Sequence, residues 1–289
     1  MQTTAREFIP LPARQRALIL YEDKNVLVID KPAGWILAPR HWKHTSRNLQ
    51  RALEITIQEH HVWVKRRNLR FLRYVHRLDA ETSGLVILAR NRLALKRFTQ
   101  LFEIGSVKKL YVAIVPGLPP KTWRSSMPIS ICMAPQPQVK VGRAEGKPAS
   151  TSFTRIATYI LPNSAACSVV LVEPQTGRMH QIRAHLSATG FPVLADPLYW
   201  DVRLDRDKFP AGSDDYPLGL RAAALGYPDP VKKTPCTIIA EVSHFLAAFR
   251  APKPVIQTVE NAVKNWETRP GQPPNNGTEQ SNRQDVHNG

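Results

Sequence analysis

Acid is what this sequence has too little of. Its 289 residues hold 23 Asp and Glu against 40 Lys and Arg, a formal charge of +17. Such an excess repels itself in a folded chain and attracts polyanions, so nucleic acid is the leading partner class. Cysteine is equally sparse. Cys132, Cys167 and Cys236 stand far apart and odd in number, so neither a disulfide framework nor zinc-ligand spacing can be built from them. They read as small buried hydrophobes in a reducing compartment. No run of about 18 apolar residues offers a spanning helix, and no long helix carries the basic and bulky apolar faces that suit a membrane surface. The opening MQTTAREFIPLPARQRALIL lacks the apolar core and cleavage site of a secretory leader. The expected compartment is the cytoplasm, with no membrane partner. No Gly-x-Gly-x-x-Gly follows a strand-like run, which removes dinucleotide chemistry. GRAEGK, from Gly142, is one residue short of a phosphate-binding loop, and Lys147 is followed by proline.

What is present suffices for a large core: 43% of the residues are hydrophobic. NVLVID, GLVILA, KLYVAIV, CSVVLV and TIIAEV read as strands, each bounded by turn residues. Leu49, Leu53 and Ile57 recur every four residues behind a Ser or Thr cap, which predicts an amphipathic helix over 45–60. A second helix follows Asn91, a short one runs from His180 to Gly190, and SHFLAAFRA reads as the last. Strands and crossover helices do not alternate strictly, so a mixed, largely antiparallel α+β sheet is expected. Residues 1–17 read as an arm without periodicity, 18–255 as one domain and 256–289 as an extension. From about residue 267 the composition is too polar to offset its ordering entropy and predicts disorder.

Two stretches are dense in chemistry. Val62 to Arg77 carries Lys65, Arg66, Arg67, Arg70, Arg73 and Arg77, with Trp63, Phe71 and Tyr74 interleaved and no acid. Cations neutralise phosphates and aromatic planes stack on unpaired bases, unless the rings pack inward. At its end stands Asp79, followed by the turn residues Thr82, Ser83 and Gly84. It reads either as a turn residue paired with Arg77, or as a carboxylate at the floor of a cationic cleft, kept ionised by a nearby guanidinium. The second stretch, residues 173–200, holds Arg178, His180, Arg183, His185 and Asp196. Its histidines lie five apart without an intervening Glu, so a metalloprotease helix is out and structural hydrogen bonding is expected. Arg183 is placed to face a buried anion.

HRLDAETSG, 76–84, resembles the active-site segment of the RluA family of pseudouridine synthases. Three further blocks resemble that family in the same order: DKNVLVIDKPAGW, VKKLYVAIVPG and TGRMHQIRAHLSATGFPVLADPLY. Together they run from about Tyr21 to Pro230. The resemblance implies the pseudouridine synthase fold around a central RNA-binding cleft. It implies an isomerase of uridines in ribosomal or transfer RNA that needs no metal, nucleotide or redox cofactor. By the same resemblance Asp79 is the catalytic carboxylate, Arg77 enters the RNA stack, Tyr111 packs on the flipped uracil, and Arg183 pairs with Asp79. His76, Arg73, Lys109, Arg178 and His180 are the accompanying candidates for RNA contact. A monomer is expected, with no room for the S4 domain that some members carry. Where the family reads Gly-Asp-x-x-Tyr-Gly, this chain has Ala195-Asp196-Pro197-Leu198-Tyr199-Trp200. In the late block Arg221, Tyr227 and Asp229 replace histidine, phenylalanine and histidine. These changes bear on substrate contacts and pocket shape more than on catalysis. A non-catalytic RNA-binding protein on the same scaffold is the alternative reading.

Overall fold

Runs of β-branched residues bounded by turns make this chain build mostly sheet. The computed structural model describes residues 7–37, 46–132, 138–200, 217–231 and 233–268. The first third supplies β1 (Phe8–Pro10), β2 (Arg16–Glu22), β3 (Val26–Lys31), α1 (Leu49–Gln58), α2 (Val62–Arg66), β4 (Arg73–Tyr74) and β5 (Ser83–Ala89). Then come α3 (Arg92–Glu103), β6 (Lys108–Pro116), β7 (Thr122–Ser125), β8 (Ile129–Cys132) and β9 (Gln138–Val141). The remainder holds β10 (Thr151–Ile160), β11 (Ala166–Pro174), α4 (Gln181–Ala188), β12 (Leu220–Pro228), β13 (Pro235–Ile239), α5 (Ser243–Ala248) and α6 (Lys253–Lys264).

Eleven strands form one sheet in the order β1-β2-β3-β5-β12-β6-β11-β10-β7, with β4 added to β5 and β13 to β12. Among the pairings between these strands only β5 with β12 is parallel. The architecture is therefore the mixed, largely antiparallel α+β sheet expected from the sequence. β8 and β9 form a separate hairpin. Leu85, Val86, Ile87 and Leu88 of β5 are all fully buried. Cover on both faces explains why this strand reads as a continuous apolar run and not as an alternation. Leu49 and Leu53 of α1 and Phe98 of α3 pack into the core around it. Each such side chain contributes about 1.5–3 kcal/mol of transfer free energy. A second core lies where α5 and α6 cover β6, β10 and β11, and a smaller one lies on the opposite face of the same strands, where α4 covers them.

The structure departs from the sequence reading at both ends. The expected arm supplies β1, which pairs with β2 from Phe8↔Leu18 to Pro10↔Arg16. Three residues are too short for a periodicity to register. SHFLAAFRA is not the last helix either. α6 follows it, with Val259 and Val263 buried, and in the turn after it Trp266 donates to Glu173 Oε2 at 3.0 Å. Most of α6 falls in the segment read as an extension, and its proline at the helix start is well tolerated there. α1 is capped by Asn48, not by Ser or Thr. β10 was not foreseen: its many small and polar residues hide its alternation, and its register shifts between Arg155 and Ala157. The expected disorder beyond residue 267 falls almost entirely outside the described residues.

One backbone contact sets how close β12 lies to the site. Gly84 sits opposite Ala222 at a φ of +112°, and a Cβ there would come within 2.2 Å of the Ala222 carbonyl oxygen. Gly84→Ala should therefore cost about 3 kcal/mol or more, a drop in Tm of about 5 °C or more for a chain of this size. Thermal melts within a degree or two of wild type would show that the strands can separate here without loss.

Candidate active site

The loop before β5 carries Asp79, and its backbone is gripped from below. Lys31, fully buried at the end of β3, donates through Nζ to the carbonyls of Pro32, Trp35 and Ala80, each at 3.0 Å. The Gly34 N–H reaches the same Ala80 carbonyl at 2.7 Å. Burial lowers Lys31 to about 7, against the pull of Glu81, Asp79 and Asp30. Three carbonyl acceptors match the three N–H bonds of an ammonium, so we assign it as charged at neutral pH. The Thr82 N–H closes the turn onto the Asp79 carbonyl at 3.2 Å. The carboxylate faces His180 and Arg183, and not Arg77, the partner that would make Asp79 a mere turn residue.

α4 brings Arg183 to this loop. The guanidinium is fully buried and forked onto Asp196, with Nε to Oδ2 and Nη2 to Oδ1 both at 2.7 Å. Its remaining nitrogen, Nη1, lies 3.4 Å from Asp79 Oδ2 and 3.6 Å from Glu81 Oε2. Burial works against the charge, but the hydrogen bonds and charge of Asp196, then Asp79 and Glu81, hold the Arg183 pKa above its ordinary value. The expected pairing of Arg183 with Asp79 is thus present as its looser contact. Three carboxylates surround this cation where the sequence suggested one. Glu81 stood beside Asp79 in the sequence and Asp196 in the altered block, but no spacing rule joins either to residue 183.

His180 approaches Asp79 from the other side. Its Nε2 is 3.9 Å from Asp79 Oδ1, and its Nδ1 is 2.8 Å from the Tyr199 hydroxyl. That hydroxyl accepts the Val139 N–H at 2.9 Å, so its own proton points at Nδ1. The neutral tautomer then carries its hydrogen on Nε2, facing Asp79. Burial, opposed first by Asp79, lowers the His180 pKa. Tyr111, on β6, is kept protonated by burial and then by the charge of Asp79. Asp79, Arg183, His180 and Tyr111 therefore converge, while Lys31, Glu81, Asp196 and Tyr199 complete a cluster that sequence reasoning did not assemble.

The other candidates separate. Lys109 reaches the Thr176 carbonyl at 3.0 Å, and burial lowers it to about 8. Arg178 is exposed beside it, with Nε on the Pro148 carbonyl at 3.0 Å. Gln181 knits this turn: its Oε1 accepts from Thr176 Oγ1 and the Arg178 N–H, and its Nε2 donates to Ser150. Arg77 is exposed, without a hydrogen bond or ion pair among the described residues. Arg73 pairs with Glu54 at 3.2 Å. His76 turns inward instead of towards a ligand. It accepts the Ile87 N–H at 3.1 Å and stacks on Phe102 at 4.5 Å, and burial, then Lys109, lowers it to about 3. An uncharged, stacked imidazole under β5 offers RNA no charge. His185 is internally bonded at both nitrogens, to Thr151 and to Met127.

The altered blocks are absorbed by the fold. Ala195 adopts a φ of +58°, a left-handed conformation that costs a non-glycine residue about 1–2 kcal/mol. Asp196, just after it, accepts the Leu198 and Tyr199 N–H groups besides Arg183. Arg221 forks onto Asp30 at 3.0 and 2.5 Å, and reaches the Glu241 carbonyl at 2.9 Å and Ser83 Oγ at 3.4 Å. Tyr227 packs edge-on against Phe98, and Asp229 caps a turn through the Val231 N–H.

Comparison with known proteins gives this geometry its context. Residues 25–188 match the family model described as RNA pseudouridylate synthase, a span holding Lys31, Asp79, Tyr111, His180 and Arg183. The ribosomal large subunit pseudouridine synthase C of Escherichia coli (strain K12) is 33% identical over 220 residues, covering 74% of this chain and 62% of that protein. This chain thus spans about three fifths of that relative's length. The protein of the same name from Vibrio vulnificus is 31% identical over 239 residues, covering 81% of this chain and 68% of that one. Among solved structures, Human RNA Pseudouridylate Synthase Domain Containing 4 superposes with a TM-score of 0.59 at 25% identity, covering 80% of this chain and 92% of that one. The family match takes in more than half of the residues and includes every group that converges on Asp79: the chain belongs to the RNA pseudouridylate synthase family.

Proposed function

We propose that this protein isomerises uridine to pseudouridine in RNA, with Asp79 as the catalytic carboxylate. The observation that carries the reading is the approach of Arg183 Nη1 to Asp79 Oδ2 at 3.4 Å, made by a cation already locked onto Asp196. A carboxylate so held is oriented before substrate arrives, and that preorganisation is what enzymes use to stabilise developing charge. The reaction breaks the bond from ribose to uracil N1, turns the detached ring and rejoins it through C5. A proton leaves C5 and one is gained at N1, so no oxidant, reductant or cofactor is consumed. The uracil is out of reach while stacked and must be flipped at a cost of a few kcal/mol. Arg77, exposed two residues before Asp79, is suited to fill the gap it leaves. Tyr111 offers a ring for the uracil to pack on. A phenol held neutral cannot take a proton without giving one up, so the C5 proton passes through Tyr111 only as the phenolic proton moves on to Asp79.

The names of the bacterial relatives support large-subunit ribosomal RNA as the substrate, with transfer RNA as the other class the same chemistry would serve. The chain would act as a monomer in the cytoplasm. Among the described residues no helix is long and apolar enough to cross a membrane. A hydrolase reading is weaker: of the nearby acids, Asp196 is fully engaged by Arg183 and two backbone N–H groups, and Glu81 shares the guanidinium that Asp79 uses.

Pseudouridine mapping on total RNA tests the proposal, using cells that lack the protein and are complemented with wild type or Asp79→Ala. A ribosomal or transfer RNA site should return with wild type alone, and its return with Asp79→Ala would remove the carboxylate from the chemistry. For Arg183→Met we expect turnover to fall by at least about a hundredfold and stability by about 3–5 kcal/mol, because Asp196 is left buried and unpaired. Adding Asp196→Asn should recover most of the Tm but not the activity. Activity recovered along with the Tm would mean that Arg183 serves the fold alone.

A further inference from the structure

The basic segment before Asp79 is only partly used by the site described above. Its Trp63 is buried in the core, but Phe71 stays half-exposed. With Asn68, Arg70, Arg90, Asn91 and Arg92, it lines a groove of about 650 Å³. Three guanidinium groups face this groove and no carboxylate does. Arg90 is braced by backbone carbonyls, through Nη1 to Asp23 and through Nη2 to Arg67 at 3.1 Å, so it keeps its charge uncompensated. Arg70 and Arg92 are exposed and form no ion pair among the described residues. The acids that meet the backbone and side chains bracing Arg90 are engaged elsewhere: Glu7 and Glu22 pair with Arg67, and the Asp23 carboxylate takes the Asn25 and Val26 N–H groups.

The position follows from β5. Asp79 precedes its first residue, Ser83, and Arg90 follows its last, Ala89. Six residue steps at about 3.3 Å place the groove about 20 Å from the Asp79 end of the strand. At the ~3.4 Å rise of a stacked strand, that is a separation of about six nucleotides. Exposed guanidiniums suit phosphates, and a half-exposed ring beside guanidinium planes suits an unpaired base, since a duplex keeps its base faces inside. An acidic peptide would use the charge but not the ring.

We propose that this groove is a second RNA-binding site, holding an unpaired flank of the substrate strand about six nucleotides from the target uridine, with phosphates on Arg70 and Arg92 and a base against Phe71. The proposal rests on the reading above only in needing RNA as the ligand.

Binding of fluorescent oligouridylates of about five and about twenty nucleotides, the longer alone able to reach both sites, provides the test. Arg70→Ala/Arg92→Ala should weaken the longer one about five- to tenfold and reduce its log–log salt slope by about 1.4, two phosphates at 0.7 each for a single strand. The shorter one, able to occupy only one site at a time, should lose less. Phe71→Leu should weaken the longer one by about fivefold or more without altering the slope. Melting temperatures near wild type would show that these exposed substitutions leave the fold intact. Equal losses for both lengths would overturn the groove. So would the same slope change from Lys253→Ala/Lys264→Ala, an exposed pair on α6 beside the other half of the sheet. The Asp79→Ala protein should show the same length dependence as wild type. If RNA mapping finds no isomerisation while the length-dependent loss persists, the chemistry is refuted and the groove is not.

Discussion

A single buried cation organises the centre of this molecule. Taking Arg183 out of water costs several kcal/mol, and only a partner with matched geometry offsets it. Asp196 provides that match by taking two parallel hydrogen bonds on one edge of the fork, and it is itself held by two backbone N–H groups. With one edge satisfied, the remaining nitrogen is fixed in direction and meets Asp79. α4, the turn at 195–199 and the loop before β5 are thereby tied through one planar group. Lysine could not replace it, because an ammonium has no rigid fork to divide between two carboxylates.

The strongly basic chain divides its cations into two populations. Lys31, Arg183 and Arg221 are buried, and each is bound to carbonyls or carboxylates from separate elements. Arg221 stands where the resemblance leads one to expect histidine. It connects β12 to β3 through Asp30 and to β5 through Ser83, so the substitution serves the frame beneath the loop. The exposed cations, among them Arg70, Arg77, Arg92 and Arg178, lack such partners or touch only a carbonyl, and their charge remains available to phosphates.

Much of this was legible in the chain because short-range patterns carried it. The apolar run of β5, the four-residue spacing in α1 and the Asn91 cap of α3 are local features, and the helix that bears Arg183 starts and stops where its sequence suggests. The convergence of Asp79 with Arg183 could be anticipated only through the resemblance, since the two lie 104 residues apart. What stayed hidden has physical causes. The inward turn of His76 depends on a cross-strand N–H from Ile87 and on the ring of Phe102, which no local pattern encodes. The same holds for Tyr199, which reaches His180 only because the β8–β9 hairpin gives its hydroxyl a donor. β1 is too short, and β10 too polar and irregular, for a period of two to emerge.

The strand order also dictates when the molecule can become whole. β12 lies between β5 and β6, so before it arrives the sheet exists as two separate pieces, β1-β2-β3-β5 and β6-β11-β10-β7. Contacts such as Arg221 with Asp30 span 191 residues, and closing so long a loop is slow. As the chain leaves the ribosome, both halves present an open, apolar edge until the segment from Leu220 to Pro228 has emerged. That interval exposes the nascent protein to mispairing with other strands, a hazard that falls to chaperones. It also means that the frame under Asp79 is closed only late in synthesis, so a truncated or stalled product has the residues for the chemistry without the scaffold to aim them.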